Sequence, residues 1–274
     1  IAKVLANRLK PLLPHLISET QGAFLSERII TDNILIAHEN LHYLKQKRTG
    51  KLGYMALKLD MSKAYDRLEW VFLEKIMIKM GFCNKWVDLV STCIRFVTYS
   101  ILLNGQPHGL ITPSRGLRQG DPLSPYLFLF VADDLSCLIK KEIDDGSLHE
   151  LHLSRRGPGV SHLLFADDSI LFCKASAEKC RVLKQILQKY EEVLGQQINT
   201  EKSSLFFSPN TFQGVKDEIF ATLGPMQDSR HTRHLGLPSF IGRSKKQVFS
   251  ILKERIGQKL VGWKGKLLFM EGGC

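Results

Sequence analysis

The spacing of apolar residues divides the chain into helical and extended stretches. Ile1, Leu5, Leu9, Leu12 and Leu16 recur at helical intervals, and Pro11 is expected to kink that helix. After a loop through Gly22, the stripe returns at Ile34, Ala37, Leu41 and Leu44, with Asp32 as the expected N-cap. A turn at Arg48–Gly53 leads into Tyr54–Asp60, where Met55, Leu57 and Leu59 alternate with Ala56, Lys58 and Asp60. That pattern predicts a strand whose last residue is an acid on the less apolar face. Trp70, Leu73, Met77 and Met80 mark a helix stopped by Gly81. Tyr99–Leu103 reads as a strand turning at Asn104-Gly105. Ser124-Pro125 reads as N-cap and first position of a helix reaching Lys141. His162–Phe165 and Ser169–Cys173 are two short apolar segments joined through Ala166-Asp167-Asp168, a hairpin with acids at its tip. A helix over Ala177–Leu194 follows, closed by Gly195. The class is α+β, with helices backing an antiparallel sheet.

Composition narrows the function classes. The 274 residues are 44% hydrophobic and 24% charged, which excludes collagen-like, low-complexity and fully disordered chains. The longest apolar run, Tyr126–Ala132, falls far short of the roughly 20 residues a membrane helix needs. No membrane partner is expected, and no signal pattern stands at the front, so an intracellular site, nuclear or cytoplasmic, is expected. The chain opens at Ile1 within an amphipathic helix, as a piece of a longer polyprotein or a truncated gene copy would. Its six cysteines form no C-x-x-C pair and have apolar neighbours in sequence, so they read as small hydrophobes in a reducing setting. His149/His152 and His231/His234 have no thiols nearby, and no zinc is expected. The net charge of +11 is unevenly spread: +5 over residues 1–59, zero over 60–200 and +6 over 201–274. Two basic flanks around a neutral middle suit a gripped polyanion, although lysines that merely keep a surface wet give the same count.

The middle holds the acids that matter. Two adjacent carboxylates at a hairpin tip repel each other, and a divalent cation relieves the conflict; hard oxygens select Mg²⁺ or Mn²⁺. An exposed turn tolerates Asp167 and Asp168 without any metal, so the pair alone is ambiguous. Asp60, ending its own strand, can stand beside that tip in one sheet. Three carboxylates there can hold two ions about 4 Å apart, the arrangement that clamps an in-line phosphoryl displacement. Asp133-Asp134 and Asp144-Asp145 follow no alternating strand and are read as surface charge. Between the acidic elements, Gly116–Pro125 is a glycine-bracketed loop entering a helix, which lets backbone approach a flat polar ligand.

In order, these stretches resemble the reverse transcriptases of non-LTR retrotransposons of the long interspersed element type, particularly plant ones. The likeness rests on Leu57-Lys-Leu-Asp-Met-Ser-Lys-Ala-Tyr-Asp-Arg67, Gly116-Leu-Arg-Gln-Gly-Asp-Pro-Leu-Ser-Pro125 and Leu164-Phe-Ala-Asp-Asp-Ser169. Gly195-Gln-Gln-Ile-Asn-Thr-Glu-Lys-Ser203, His234-Leu-Gly-Leu-Pro238, Gln21-Gly-Ala-Phe24 and Thr31-Asp-Asn33 extend it. The resemblance implies a right-hand polymerase: partial fingers at 1–53, palm at 54–240 and the beginning of a thumb at 241–274. Asp60, Asp167 and Asp168 would hold two Mg²⁺ ions. Met61, Ser62 and Lys63 would lie beside the incoming deoxynucleoside triphosphate, with Tyr65 as the gate against a ribose 2′-OH. Gln119 and Gly120 would lie against the nucleotide and the template base, and Arg28 would contact phosphate, although Glu27 precedes it here. Lys202 would be the general acid for the leaving pyrophosphate. Leu235 and Gly236 would grip the primer, and the basic stretch Lys245–Lys266 would track a nucleic-acid backbone. The implied partners are an RNA template, a DNA primer and dNTPs; further fingers strands are expected upstream of Ile1. Two alternatives stay open: a catalytically silent remnant that at most binds nucleic acid, and another two-metal phosphotransferase or nuclease.

Overall fold

In the computed structural model, residues 1–154, 157–228, 233–235, 237–238, 250, 253–254, 256–258 and 260 are described. The chain forms two compact units, Ile1–Arg230 and His231–Cys274. The first begins with α1 (Ala2–Leu9) and α2 (Leu13–Leu16), interrupted around Pro11, as a residue without an N–H requires. α3 (Ile30–Gln46) starts before the expected N-cap: extended Ile29 takes that position, and Asp32 supplies negative charge inside the first turn instead.

Next come β1 (Tyr54–Leu59), the single turn α4 (Ala64–Arg67), α5 (Trp70–Lys79) and α6 (Asn84–Arg95). β2 (Tyr99–Leu103) and β3 (Gln106–Ile111) form a solvent-exposed hairpin whose turn residues Asn104 and Gly105 both have positive φ. α7 (Ser124–Asp144) begins one residue earlier than read from Ser124-Pro125, with Leu123 as N-cap, and the Asp121 carboxylate accepts the Leu123 N–H at 2.8 Å. Then follow β4 (Leu151–His152), β5 (Gly159–Val160), β6 (His162–Phe165), β7 (Asp168–Lys174), α8 (Ala177–Leu194), β8 (Ser204–Phe207), α9 (Gln213–Leu223) and β9 (Gln227–Asp228). The sequence reading omits α6, β8 and α9. α6 does carry a helical stripe, Val87 and Val90 with Trp86 and Ile94 beside them, whereas the four residues of β8 are all buried, too short to show a period.

The central sheet has the order β6-β7-β1-β8-β9, antiparallel except for β8 with β9. Met55, Leu57 and Leu59 join Leu171, Cys173, Leu205 and Phe207 in the main core with residues of α5, α7 and α8. The alternate residues Ala56, Ile170 and Phe172 are buried too, and α3 lies against β1 and β6. Burial on both faces explains why the hydrophobic alternation of β1 is imperfect. On the face carrying Ala56, cover ends at Lys58, Asp60 and Asp168, which are only partly buried.

Asp133 overturns its reading as surface charge. It is buried on α7 and accepts hydrogen bonds from the Ser18 N–H and hydroxyl. The Ser136 hydroxyl lies 2.9 Å from that of Ser18; Ser136 and Thr20 meet the His162 Nε2 at 2.6 and 3.0 Å, and Ser161 meets its Nδ1 at 2.8 Å. Burial raises the Asp133 carboxyl and lowers His162 to about 4, so the imidazole is neutral. Asp134 is half-buried and raised as well, by burial and by Asp133. A helical repeat turned these acids inward, where strand alternation was no guide. The cysteines divide also: Cys173 and Cys180 are buried, whereas Cys83 and Cys137 are exposed.

In the second unit, β10 (Arg233–His234) pairs antiparallel with β11 (Leu237–Pro238), and Leu235 takes a left-handed φ of 49° between them. Gly236 lies outside the described residues, as does most of the basic stretch 245–266.

Candidate active site

The register of β1 with β7 decides where the acids meet. Leu59 faces Ser169, so Asp60, the next residue of one strand, and Asp168, the preceding residue of the other, stand opposite each other. Facing residues of an antiparallel pair hold their Cβ atoms about 5 Å apart on one side of the sheet. Asp167 precedes Asp168 in the two-residue turn from β6, where Phe165 faces Asp168. Burial raises the Asp168 carboxyl above the usual range; Lys58 opposes this, while Asp167 and Asp60 push it further up. The Lys58 ammonium lies 3.8 Å from Asp168. Among the described residues, no three His, Cys, Asp or Glu side chains already surround a point where an ion would sit. The donor set nevertheless fits hard divalent cations: three carboxylates at one strand end, repelling one another and partly neutralised by a lysine.

The chain just after Asp60 is held from behind. Its N–H donates to the Ser203 hydroxyl at 3.1 Å, and its carbonyl accepts the Asn199 N–H at 2.8 Å. Met61 bridges Ile198, the Ser62 N–H reaches the Gln197 carbonyl at 2.8 Å, and the Gln196 side chain donates to the Ala64 carbonyl at 3.1 Å. Lys63, exposed and left-handed at φ 52°, offers its carbonyl to the N–H groups of Asp66 and Arg67. Lys202 is exposed on this same backing segment, its N–H tied to the Asn199 side chain at 3.1 Å.

Tyr65 stacks on Phe128 of α7 with ring centroids 4.5 Å apart and planes 11° from parallel. Burial, and then the charge of Asp167, push its hydroxyl up to about 12. The glycine-bracketed loop is sewn to the same turn. The Leu117 N–H donates to Tyr65 and the Gly116 N–H to Leu68, at 2.9 and 2.8 Å, and the Trp70 indole donates to Gly116 at 2.7 Å. Gly116 has φ 87°, and a Cβ there would stand 2.7 Å from the Asp66 carbonyl oxygen, so only glycine permits the approach. Beyond this anchor Gln119 and Gly120 are exposed. Gln119 helps line a hollow of about 430 Å³ with Asp66, Tyr99 and Arg118, and none of the three acids lines it.

Arg28 is tied into the chain before α3. Its guanidinium donates to the carbonyls of Ile17, Ser18 and Gln21 and so clamps the segment before α3. The sequence reading missed Lys58, Ser203 and Phe128. Lys58 was within reach, because strand alternation puts it on the face of Asp60. Ser203 ended a motif whose lysine drew the attention, and Phe128 lay in an apolar run without a distinguishing neighbour.

Residues 1–238 match the family model described as reverse transcriptase (RNA-dependent DNA polymerase). The chain belongs to that family. Among curated relatives, an uncharacterized mitochondrial protein of Arabidopsis thaliana is 53% identical over 68 residues, 25% of this chain and 56% of that protein. The transposon TX1 uncharacterized 149 kDa protein of Xenopus laevis is 27% identical over 99% of this chain and 20% of its own length. A retrovirus-related Pol polyprotein from a type-2 retrotransposable element of Drosophila melanogaster is 28% identical over 66% of the chain and 16% of the polyprotein. The resemblance to non-LTR retrotransposon reverse transcriptases therefore holds, and the chain spans a minor part of the transposon proteins it matches. A solved telomerase from Candida albicans, in complex with a TWJ fragment of telomeric RNA, aligns with a TM-score of 0.53 at 14% identity, covering 92% of this chain and 40% of that one. That likeness bears on the fold, a palm-like arrangement of antiparallel sheet and helices.

Proposed function

We propose that the chain carries the nucleotidyl-transfer centre of a retroelement RNA-directed DNA polymerase, with residues 1–53 as partial fingers, 54–240 as palm and 241–274 as the start of a thumb. The observation that supports it most is the register that sets Asp60 opposite Asp168, with Asp167 in the adjoining turn. In this reading an RNA template pairs with the end of a DNA primer, and the primer 3′-hydroxyl oxygen bonds to the α-phosphorus of a dNTP. The bond to the bridging oxygen breaks and pyrophosphate leaves.

Asp60, Asp167 and Asp168 would hold two Mg²⁺ ions, with Mn²⁺ able to substitute, and these would supply charge neutralisation for the attacking and leaving oxygens. The chain's own residues bind and orient. Met61, Ser62 and Lys63 present a turn of backbone to the triphosphate, and Tyr65, braced by Phe128, closes the side where a ribose 2′-OH would project. Gln119 and Gly120 lie against the nucleotide and the template base. Lys202 gives a proton to the departing pyrophosphate, and Leu235 and Gly236 hold the primer. Positioning and charge stabilisation supply the rate, because the protein makes no covalent bond to its substrates. A polyanionic template and primer suit the basic flanks and an intracellular, nuclear or cytoplasmic, site of action. The test is Mg²⁺-dependent extension of oligo(dT) on poly(rA) by the chain within its flanking coding sequence. Asp167→Asn is expected to abolish extension, and normal synthesis by that variant overturns the reading.

A further inference from the structure

Two stretches shared with the family, Gln21-Gly-Ala-Phe24 and Thr31-Asp-Asn33, have no part in the transfer step just described. Both converge on β6. This strand is an edge of the sheet, and the segment around Gln21 covers it with a parallel bridge between Gln21 and Leu164. The Leu164 N–H donates to the Thr20 carbonyl and its carbonyl accepts the Gly22 N–H, each at 2.8 Å. The buried Asn33 side chain adds a bond to the same Leu164 carbonyl at 3.0 Å.

Gln21 reaches furthest. Fully buried, its side-chain carbonyl accepts the Ala23 N–H at 3.1 Å and the Ala166 N–H at 3.0 Å. The first bond fixes the side chain; the second seizes the residue immediately before Asp167. Ala166 is left-handed at φ 54°, a conformation a residue with a Cβ keeps only when its surroundings impose it. The side-chain nitrogen of Gln21 has no hydrogen-bond partner among the described residues, so the acceptor oxygen is the atom in use.

We propose that Gln21, assisted by Asn33, is a positioning residue that sets the Ala166–Asp167 turn and thereby the presentation of Asp167 and Asp168 to divalent cations. The cation half of this statement rests on the role given to those acids above. The oxygen and not the shape of the glutamine matters, so a glutamate in its place keeps the bond to Ala166, whereas a methionine of similar length loses it. A side chain that only filled space would rank the two the other way, since methionine buries readily and a carboxyl does not.

The experiment uses the full 274-residue chain and its Gln21→Met and Gln21→Glu variants. Hydrogen exchange at the Ala166 amide is measured alongside Tb³⁺ luminescence titration, with Tb³⁺ as the probe cation. In Gln21→Met, Ala166 exchange is expected to quicken and Tb³⁺ affinity to fall about tenfold, the usual scale for losing a group that orients metal ligands. Gln21→Glu is expected to keep both close to the parent. Unchanged Ala166 exchange in the methionine variant overturns the proposal, as does a glutamate variant that loses protection there. If Gln21→Met does not fold, the glutamate variant alone decides by the same criterion. Absence of Tb³⁺ binding in the parent, with the exchange pattern as expected, upholds the bracket and overturns the role of the acids.

Discussion

Of the chain's three Asp-Asp pairs, two have fates that diverge. Asp133-Asp134 lies on α7, and Asp133 turns inward, where Ser18 satisfies its carboxylate. Asp167-Asp168 lies at the start of β7, where Lys58 is set against two neighbouring acids. In one pair the buried member, Asp133, is held by the hydroxyl and the amide of Ser18 and contributes to the fold. The other is left with mutual repulsion that Lys58 relieves only in part. An acidic dipeptide thus carries no fixed meaning; the period of the element that bears it decides whether it turns inward to protein donors or stays at the open end of the sheet.

The contrast breaks first under exchange of phenotypes. Asp167→Asn is expected to reduce primer extension by about 10³-fold, the scale of losing charge stabilisation at a reacting centre, without lowering thermal stability. Asp133→Ala is expected to cost about 3 kcal/mol in denaturant unfolding, because the Ser18 donors lose a charged acceptor. Equal stabilities for Asp133→Ala and the parent return that acid to the surface. The network around it also has a pH signature. His162 titrates near 4 in the fold against 6.5 for a free imidazole, so its contribution is full above 6.5 and is lost as pH falls toward 4. His162→Gln is expected to flatten that window by about 3 kcal/mol at most, read from unfolding free energies at pH 7 and pH 4.5.

Smaller effects sharpen the other pair. Tyr65→Ala is expected to raise ribonucleotide incorporation relative to deoxynucleotide roughly tenfold. An unchanged ratio leaves the ring as a packing partner of Phe128. Asp168→Asn is expected to raise the melting temperature slightly in metal-free buffer, since the carboxyl it replaces is held above its usual range and its charge is a burden at neutral pH. A lower melting temperature contradicts the repulsion inferred at the strand end.

Much of this arrangement was legible before any coordinates. Alternation in Tyr54–Asp60 placed Asp60 on a strand end, and the two apolar segments around Ala166–Asp168 defined the hairpin. Their pairing is a long-range fact that local pattern does not carry, and it came from the resemblance. Asp133 was misread because it is answered by Ser18, a partner distant in sequence, and the carbonyls that Arg28 holds have no sequence signature either. The four buried residues of β8 were invisible for a simpler reason: uniform burial erases periodicity.

The close seat of Gly116 on Asp66 has a mechanical corollary. Some fifty positions separate Tyr65 from Leu117, yet their main chains are hydrogen-bonded, so the stretch through α5, α6 and the β2–β3 ribbon leaves and returns at one knot. Residues may be added to or trimmed from the tip of the solvent-exposed ribbon while that knot keeps both ends in step. Change the knot itself by one methyl, and no adjustment in the ribbon offers a remedy.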